Sequence, residues 1–393
     1  MFTMTLLTTT LQPATLLTPQ TLPIPHVDPL PLPGPVWLFT ALLLVVFTLH
    51  VIAMNSALGG GLWTLWNYLL GRHSDHPYSR RLANELSQML PTFLAFTVTL
   101  GVAALLFVQV LFGNFLYTSS ILIGSLWLAV IPLVMVAYYG FYYFSYTAEQ
   151  GKGIAGCVLA ISVCVLLCIA FILVNNMTLM LSPARWLAMY RAHPNGWNLN
   201  LCDHSVIPRY LHIVNGAIAV FSAILAQFGM RKLKADAEYG RWLVQRAALV
   251  FAACTGLQFL LGMWLLLAIP RDIAMLLLRD PLAGSVFGLA LISVISSMLL
   301  ILLGSLSPKP APLVNAGFAI SLVTLFLMVS LRYLLRMAYL RPYLHLEALA
   351  VRPQVGVIAI FLLLFVGGLA TVGYMLWLVS RGAKTRVRTT VTN

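Results

Sequence analysis

Acidic side chains are the scarcest useful residues in this 393-residue chain, which holds only 10 Asp and Glu. None falls inside a confident apolar run, and between Glu85 and Glu149 there is no carboxylate at all. Proton pumps and cation-coupled transporters usually rely on a carboxylate within the bilayer, so that chemistry has no evident carrier here. Charge of any sign is rare, at 8%, against about 25% in ordinary soluble domains. Cysteine is sparse too. Cys157, Cys164, Cys168, Cys202 and Cys254 form no CxxCH, which excludes covalent c-type haem by that motif, and no CxxC pair suggests zinc or iron–sulfur ligation.

What fills the chain is apolar sequence, 61% of it. The runs recur at lengths able to cross a hydrocarbon core, which takes about 20 helical residues. They do not alternate as barrel strands would, and in lipid every backbone polar group needs an internal partner, so the spans should be helices. The fold class expected is an all-α integral membrane protein with about nine transmembrane helices. The expected spans are Val36–Ala57, with an interfacial continuation through Trp63 and Trp66, then Leu90–Phe112, Ser119–Ser145 and Ile154–Leu181. A longer loop carrying Trp186, Trp197 and His204 follows. Ile207–Met230, Leu243–Ile269, Ala283–Leu306, Val314–Leu331 and Val355–Val379 complete the set. No soluble domain and no clear repeat appears. The chain divides into a Pro/Thr-rich segment 1–35, a membrane domain 36–380 and a basic tail 381–393. No basic region precedes the first apolar residues, so no cleaved signal peptide is expected.

The net charge of +13 sits in short loops, where membrane topology explains it without nucleic acid. Clusters at 231–246 and 381–388 put most Lys and Arg on one side, predicting the N-terminus outside and the C-terminus in the cytoplasm of a cell inner membrane. The outer face still carries Arg185, Arg209, Arg271, Arg332, Arg336 and others. Those residues serve either as interfacial anchors or as a site for an anionic partner or for haem propionates.

Two histidines stand within spans. His50 lies in LHVIAMNSALGGG and His212 in IPRYLHIVNGAIAVF, each with small residues nearby. Imidazole is the usual axial ligand of b-type haem, and small residues let a macrocycle approach the backbone. The alternative is that each ring hydrogen-bonds a neighbouring helix. Arg209 precedes His212 by one turn and could pair with a propionate. Arg332 and Arg336 share one face of the eighth span, to snorkel or to close a site. His73 and His76 read as solvated. His204 and His345 fall at the outer surface, solvated or available as proton acceptors for quinol.

Here the chain resembles subunit I of the cytochrome bd quinol oxidases. The match is clearest over RYLHIVNGAIAVFSAILAQFGMRKLKADAEYGRWLVQRAALVFAACTGLQFLLG, and fainter over LFTALLLVVFTLHVIAMNSALGGG and the FGN at Phe112–Asn114. The resemblance implies His212 as ligand of a low-spin haem b and His50 as ligand of a second haem. The chain lacks the family's third-helix carboxylates, its GRQPW motif and most of its long outer loop, shortened here to about Arg271–Asp280. Met298 is out of register for the family's axial methionine. Oxygen reduction therefore has no obvious proton path. The reading that follows is a respiratory electron-transfer subunit, a quinol-oxidising oxidoreductase component, with one or two b haems. It would move electrons between quinol or menaquinol and an outer-face (periplasmic) c-type cytochrome, beside other membrane or periplasmic subunits. Arg209 and Arg332 would neutralise propionates. Counted from the helix starts, His50 should lie about 15 Å deeper than His212, favouring separate haems. A bd-type terminal oxidase subunit with altered ligands and a haem-free anchor or transporter are the alternatives.

Overall fold

With so few charges to interrupt them, the apolar runs fold as long helices whose polar backbone is satisfied internally. The computed structural model describes residues 31–73, 77–148 and 153–391. In chain order the α-helices are α1 (Val36–His73), α2 (Pro77–Ser87), α3 (Leu90–Leu122), α4 (Gly124–Thr147), α5 (Gly153–Met180) and α6 (Trp186–Ala192). They continue as α7 (Val206–Lys232), α8 (Ala237–Ala268), α9 (Arg271–Arg279), α10 (Pro281–Leu306), α11 (Ala311–Leu340) and α12 (Val355–Val391). Among the described residues eight helices are long and apolar enough to span a bilayer, and α12 adds the apolar stretch Val355–Thr371. The protein is an all-α integral membrane protein.

Helices adjacent in sequence pack as antiparallel pairs, α1 with α3, α4 with α5, α7 with α8 and α10 with α11, and α1 also packs on α5, α7 and α11. One end of the bundle, called here the His345 end, gathers the start of α1, the 181–205 connection with α6, and α9. The other, the Glu85 end, gathers α2 and the turns after α7 and α10. Outward faces of α3, α4, α10 and α12 are apolar, with Val102, Leu106, Leu128, Ile131, Ile292 and Leu363 exposed, as lipid contact requires.

Three boundaries differ from expectation. The first helix does not stop at Ala57 with an interfacial tail. It continues to His73, and Trp63 is buried, donating its indole N–H to Ser222 Oγ at 3.0 Å. The second span runs ten residues past Phe112 to Leu122. Phe112 has non-helical dihedrals (φ −133°, ψ 28°), so the FGN stretch is a kink within the helix and no loop. Residues 119–122 thus belong to α3, and Ile123 alone separates it from α4. The loop after α5 is partly helical as α6, and the shortened loop around Arg271 forms α9.

Of the 1–35 segment, residues 1–30 lie outside the described residues. Leu32 is buried and pairs with the far connection through its amide to Ala350 O and its carbonyl to Arg352 N, both at 2.8 Å. The 381–388 basic side chains, the His73 side chain and His76 also lie outside them. The backbone of α12 runs on through Val391 without a break.

The Glu85 end is where the carboxylates are used. Glu85 accepts from Lys232 Nζ at 2.7 Å, Tyr239 Oη at 3.0 Å and Arg81 Nε at 3.4 Å. Arg81 also pairs with Asp236 at 2.6 Å and lies 4.0 Å over the Tyr239 ring. Asp236 caps α8 by accepting from the Tyr239 amide at 3.0 Å. Together these tie α2 to the α7–α8 turn. The Arg81 guanidinium, then the Tyr239 amide, hold the Asp236 carboxyl below its ordinary range. A carboxyl depressed in the folded state contributes stability above its unfolded value, about 3.9, which is lost as pH falls through the folded one. The lower melting temperature expected of Asp236→Asn in detergent should therefore show in full at pH 7 and shrink as pH falls below the unfolded value of about 3.9.

Candidate functional site

The site is built where α1 and α7 cross. Gly59 permits the crossing: a Cβ there would come within 2.7 Å of Phe221 Cβ and closer still to the Ala217 carbonyl oxygen. Gly60 against Phe221 and Trp63 against Ser222 continue the same register, with both helices running from the His345 end. His50 precedes Gly59 by nine residues and His212 precedes Ala217 by five. At about 1.5 Å per residue the two imidazoles lie within roughly 6 Å of one level. The 15 Å offset expected from helix starts is absent, because α1 begins several turns farther out than α7 relative to their crossing.

Level is shared but direction is not. At about 100° per residue, nine residues place His50 on the side of α1 opposite Gly59, and five place His212 well round α7 from Ala217. The contacts agree. His50 packs on α3, where a Cβ at Gly101 would meet its Cε1 at 2.9 Å, and its Nδ1 lies 3.1 Å from the Thr97 carbonyl. His212 packs on α8 beside Gly262, 3.6 Å from a Cβ placed there. The two rings therefore serve different helix interfaces.

Each ring has a distinct support. A proton on His50 Nδ1 donated to Thr97 O fixes the tautomer that leaves Nε2 with its lone pair, the form that binds metal. The backbone carbonyl of His212 accepts from Gln258 Nε2 at 2.9 Å, and Gln258 Oε1 accepts from Asn215. The His212 Nδ1 is buried with no partner, as is the Nε of Arg209 one turn before it. Buried polar atoms are nearly always paired, so two orphans side by side mark a place that a ligand completes.

The arginines converge on the same region. Arg332 lies 4.6 Å over the ring of Phe47, one turn before His50, and Phe47 in turn touches His50 at a ring separation of 5.8 Å. Arg336 lies 5.1 Å over Phe112 and is 8% exposed. Arg336 is thus buried in the bundle and does not snorkel to headgroups. Arg332 is within electrostatic range of His50, Arg209 and Arg336, and Arg209 of His212. Among the described residues every ion pair is at the Glu85 end. Asp203 accepts from the Ser205 amide at 2.8 Å and lies within electrostatic range of Arg209 and Tyr339 from the edge.

So His50, His212, Arg209 and Arg332 come together as one neighbourhood, while His204 and His345 sit exposed on separate connections at the His345 end. Thr97, Gly101 and Gln258 are the neighbours that sequence reasoning did not single out, and Arg336, read there as snorkelling or closing a site, lies buried beside them. Met298 is half-buried against the core cluster that includes Phe221, Val244 and Ile301. Among the described residues no three His, Cys, Asp or Glu side chains converge as metal ligands.

No family model matches the chain, and no curated protein matches it. A solved structure does. The structure of bd oxidase from Geobacillus thermodenitrificans aligns with a TM-score of 0.67, over 87% of this chain and 97% of that one. This chain has that protein's fold. Identity is 14%, so the resemblance to the bd oxidases read from the fifth and first spans holds at the level of the fold: a multi-pass bundle of membrane helices arranged as in that structure.

Proposed function

We propose that the chain is a haem b-carrying subunit of a membrane respiratory complex, passing electrons between quinol in the bilayer and a c-type cytochrome docked at the His345 end. The observation that carries this reading is the pair of imidazoles at one level, facing different helices, beside arginines that form no ion pair among the described residues. We assign His212 and His50 to two separate irons. Bound haem would supply one-electron chemistry at each. Thr97 O holds His50 through Nδ1 so that Nε2 faces its ligand. Gln258 fixes the backbone turn that bears His212. Arg209 stands one turn before His212, and Arg332 lies over Phe47 one turn before His50, where they would balance propionates. Basic residues on the His345 end, with the N-terminus outside, would steer an acidic partner by charge, and exposed His204 or His345 would accept quinol protons there.

The second reading, a terminal oxidase subunit, is favoured by the fold of the bd oxidase structure. Against it, the described spans hold no carboxylate near His50 to deliver protons to oxygen. A haem-free anchor is the third. One experiment separates them: the reduced-minus-oxidised spectrum of the purified chain with pyridine haemochrome quantification, followed by oxygen uptake with a quinol donor. Two b haems per chain with no oxygen uptake are expected. Rapid uptake would favour the oxidase, and a colourless, folded preparation would leave the anchor.

A further inference from the structure

Arg332 and Arg336 pose a problem that haem ligation at His212 leaves unsolved. Both guanidiniums lie inside the bundle on the same face of α11, within range of each other and of Arg209. Neither has a hydrogen-bond or ion-pair partner among the described residues; each rests on an aromatic face instead, Phe47 for Arg332 and Phe112 for Arg336. Stacking on a ring offsets part of the cost of burying a cation, but it supplies no counter-charge and leaves the planar donors unused. Like charges buried side by side repel, and an anion placed between them reverses the sign of that interaction.

Between them is a cleft of about 20 Å³ bounded by α1, α3 and α11, with Leu43, Phe47, Val108 and Val329 as its apolar wall and Tyr333 beside the arginines. Its volume is near that of one water-sized group, enough for one oxygen of a head to enter as the guanidiniums leave their rings. The Tyr333 hydroxyl is 3.2 Å from Thr40 Oγ1; if Thr40 donates, the phenol proton is free to turn inward. The same helices turn exposed apolar side chains, Val45, Val102 and Leu106, to the exterior.

We propose that the cleft between α1, α3 and α11 binds the anionic head of an amphiphile, gripped by Arg332 and Arg336 with Tyr333 as a third donor. The chemistry is an oxyanion, carboxylate or phosphate, on an apolar body. Two sources supply it: the phosphate of a membrane phospholipid, or a carboxylate of a porphyrin ligated at His50. The porphyrin source rests on the haem reading above; the phospholipid source does not.

The test is phosphorus and haem per chain in the full-length protein, purified in detergent and washed, for wild type, Arg336→Gln, Arg336→Lys and Arg332→Gln/Arg336→Gln. Elution volume and helical circular dichroism establish that each is folded. Loss of about one phosphorus per chain in the double variant, with haem unchanged, identifies a phospholipid. Loss of haem with phosphorus unchanged identifies the porphyrin carboxylate. A wild type without haem that loses its phosphorus in the variant sinks the haem reading and leaves this one standing. If the double variant does not fold, retention in Arg336→Lys with loss in Arg336→Gln supports the site, because Lys keeps the positive charge that Gln removes. Equal occupancy in wild type and all folded variants, or a wild type holding neither phosphorus nor haem, overturns it.

Discussion

His212→Ala should halve the haem bound per chain while leaving the helical bundle intact. The imidazole is the one side chain near the His345 end of α7 that combines a buried, unpartnered ring nitrogen with a neighbouring buried cation. Removing an axial ligand from a b-type site withdraws the bond that holds the iron, and outer-shell partners alone already change affinity by about 10–100-fold. Little else should change. His212 faces Gly262 across an ordinary contact distance, and its side chain makes no hydrogen bond that α7 or α8 needs, since Gln258 binds its backbone carbonyl and not its ring. The pyridine haemochrome signal is expected to fall from two haems to one, and the reduced-minus-oxidised band to lose one component of its redox titration.

His50→Ala supplies the complement. That ring is wedged on Gly101 and bonded to Thr97 O, so its removal opens a cavity between α1 and α3 and costs stability as well as a haem. A structural histidine pair would give the opposite pattern: stability lower in one or both variants and haem unaffected. Haem that survives both substitutions at full stoichiometry would therefore refute ligation by either residue.

The membrane fold was legible in the sequence because hydropathy is a one-dimensional property: eight long apolar runs, and a ninth beginning at Val355, each became a helix. Boundaries failed where polar and turn residues lie inside a helix. The second span reads as ending before Gly113 and Asn114, but α3 runs through them and breaks only at Ile123 beside Gly124, and Trp63 reads as an interfacial anchor until Ser222 is known to lie beside it. The histidines were visible by the same logic, since polar residues in apolar runs stand out. Their relative depth was not. It depends on where α1 and α7 touch, which the Gly59–Ala217 approach sets and no pattern within either helix records. Arg336 was likewise visible as one turn from Arg332, but Phe112 lies on α3, more than two hundred residues earlier, so its burial could not be read from spacing. The shared fold with a bd oxidase at 14% identity follows from the same economy: length, apolarity and a few small residues at crossings suffice to specify the bundle, while the chemistry rests on side chains that are free to differ.

Gly59→Leu should be the most damaging single substitution in the membrane domain. The run Gly59, Gly60 and Gly61 faces three different neighbours: the α7 backbone at Ala217, the Phe221 ring, and Phe141 with Val163. Of these, only the Gly59 contact is backbone on backbone, so no side chain can rotate away to make room. Packed interiors tolerate added methylenes poorly, at about 1–3 kcal/mol where the neighbours can shift. Here a whole helix must move, and the cost should be at or above the upper end of that range. Moving α7 away from α1 also breaks the Trp63–Ser222 hydrogen bond and draws Arg209 away from Arg332, so haem retention and thermal stability should fall together. Gly61→Ala is the control. A Cβ there meets the tips of Val163 and Phe141 at 3.1 and 3.3 Å, side chains that can yield by a few tenths of an ångström, and a loss under about 1.5 kcal/mol is expected. Melting of both variants in detergent, followed by haem absorbance and by circular dichroism, measures the contrast. Equal losses would mean that the α1–α7 crossing does not carry the site.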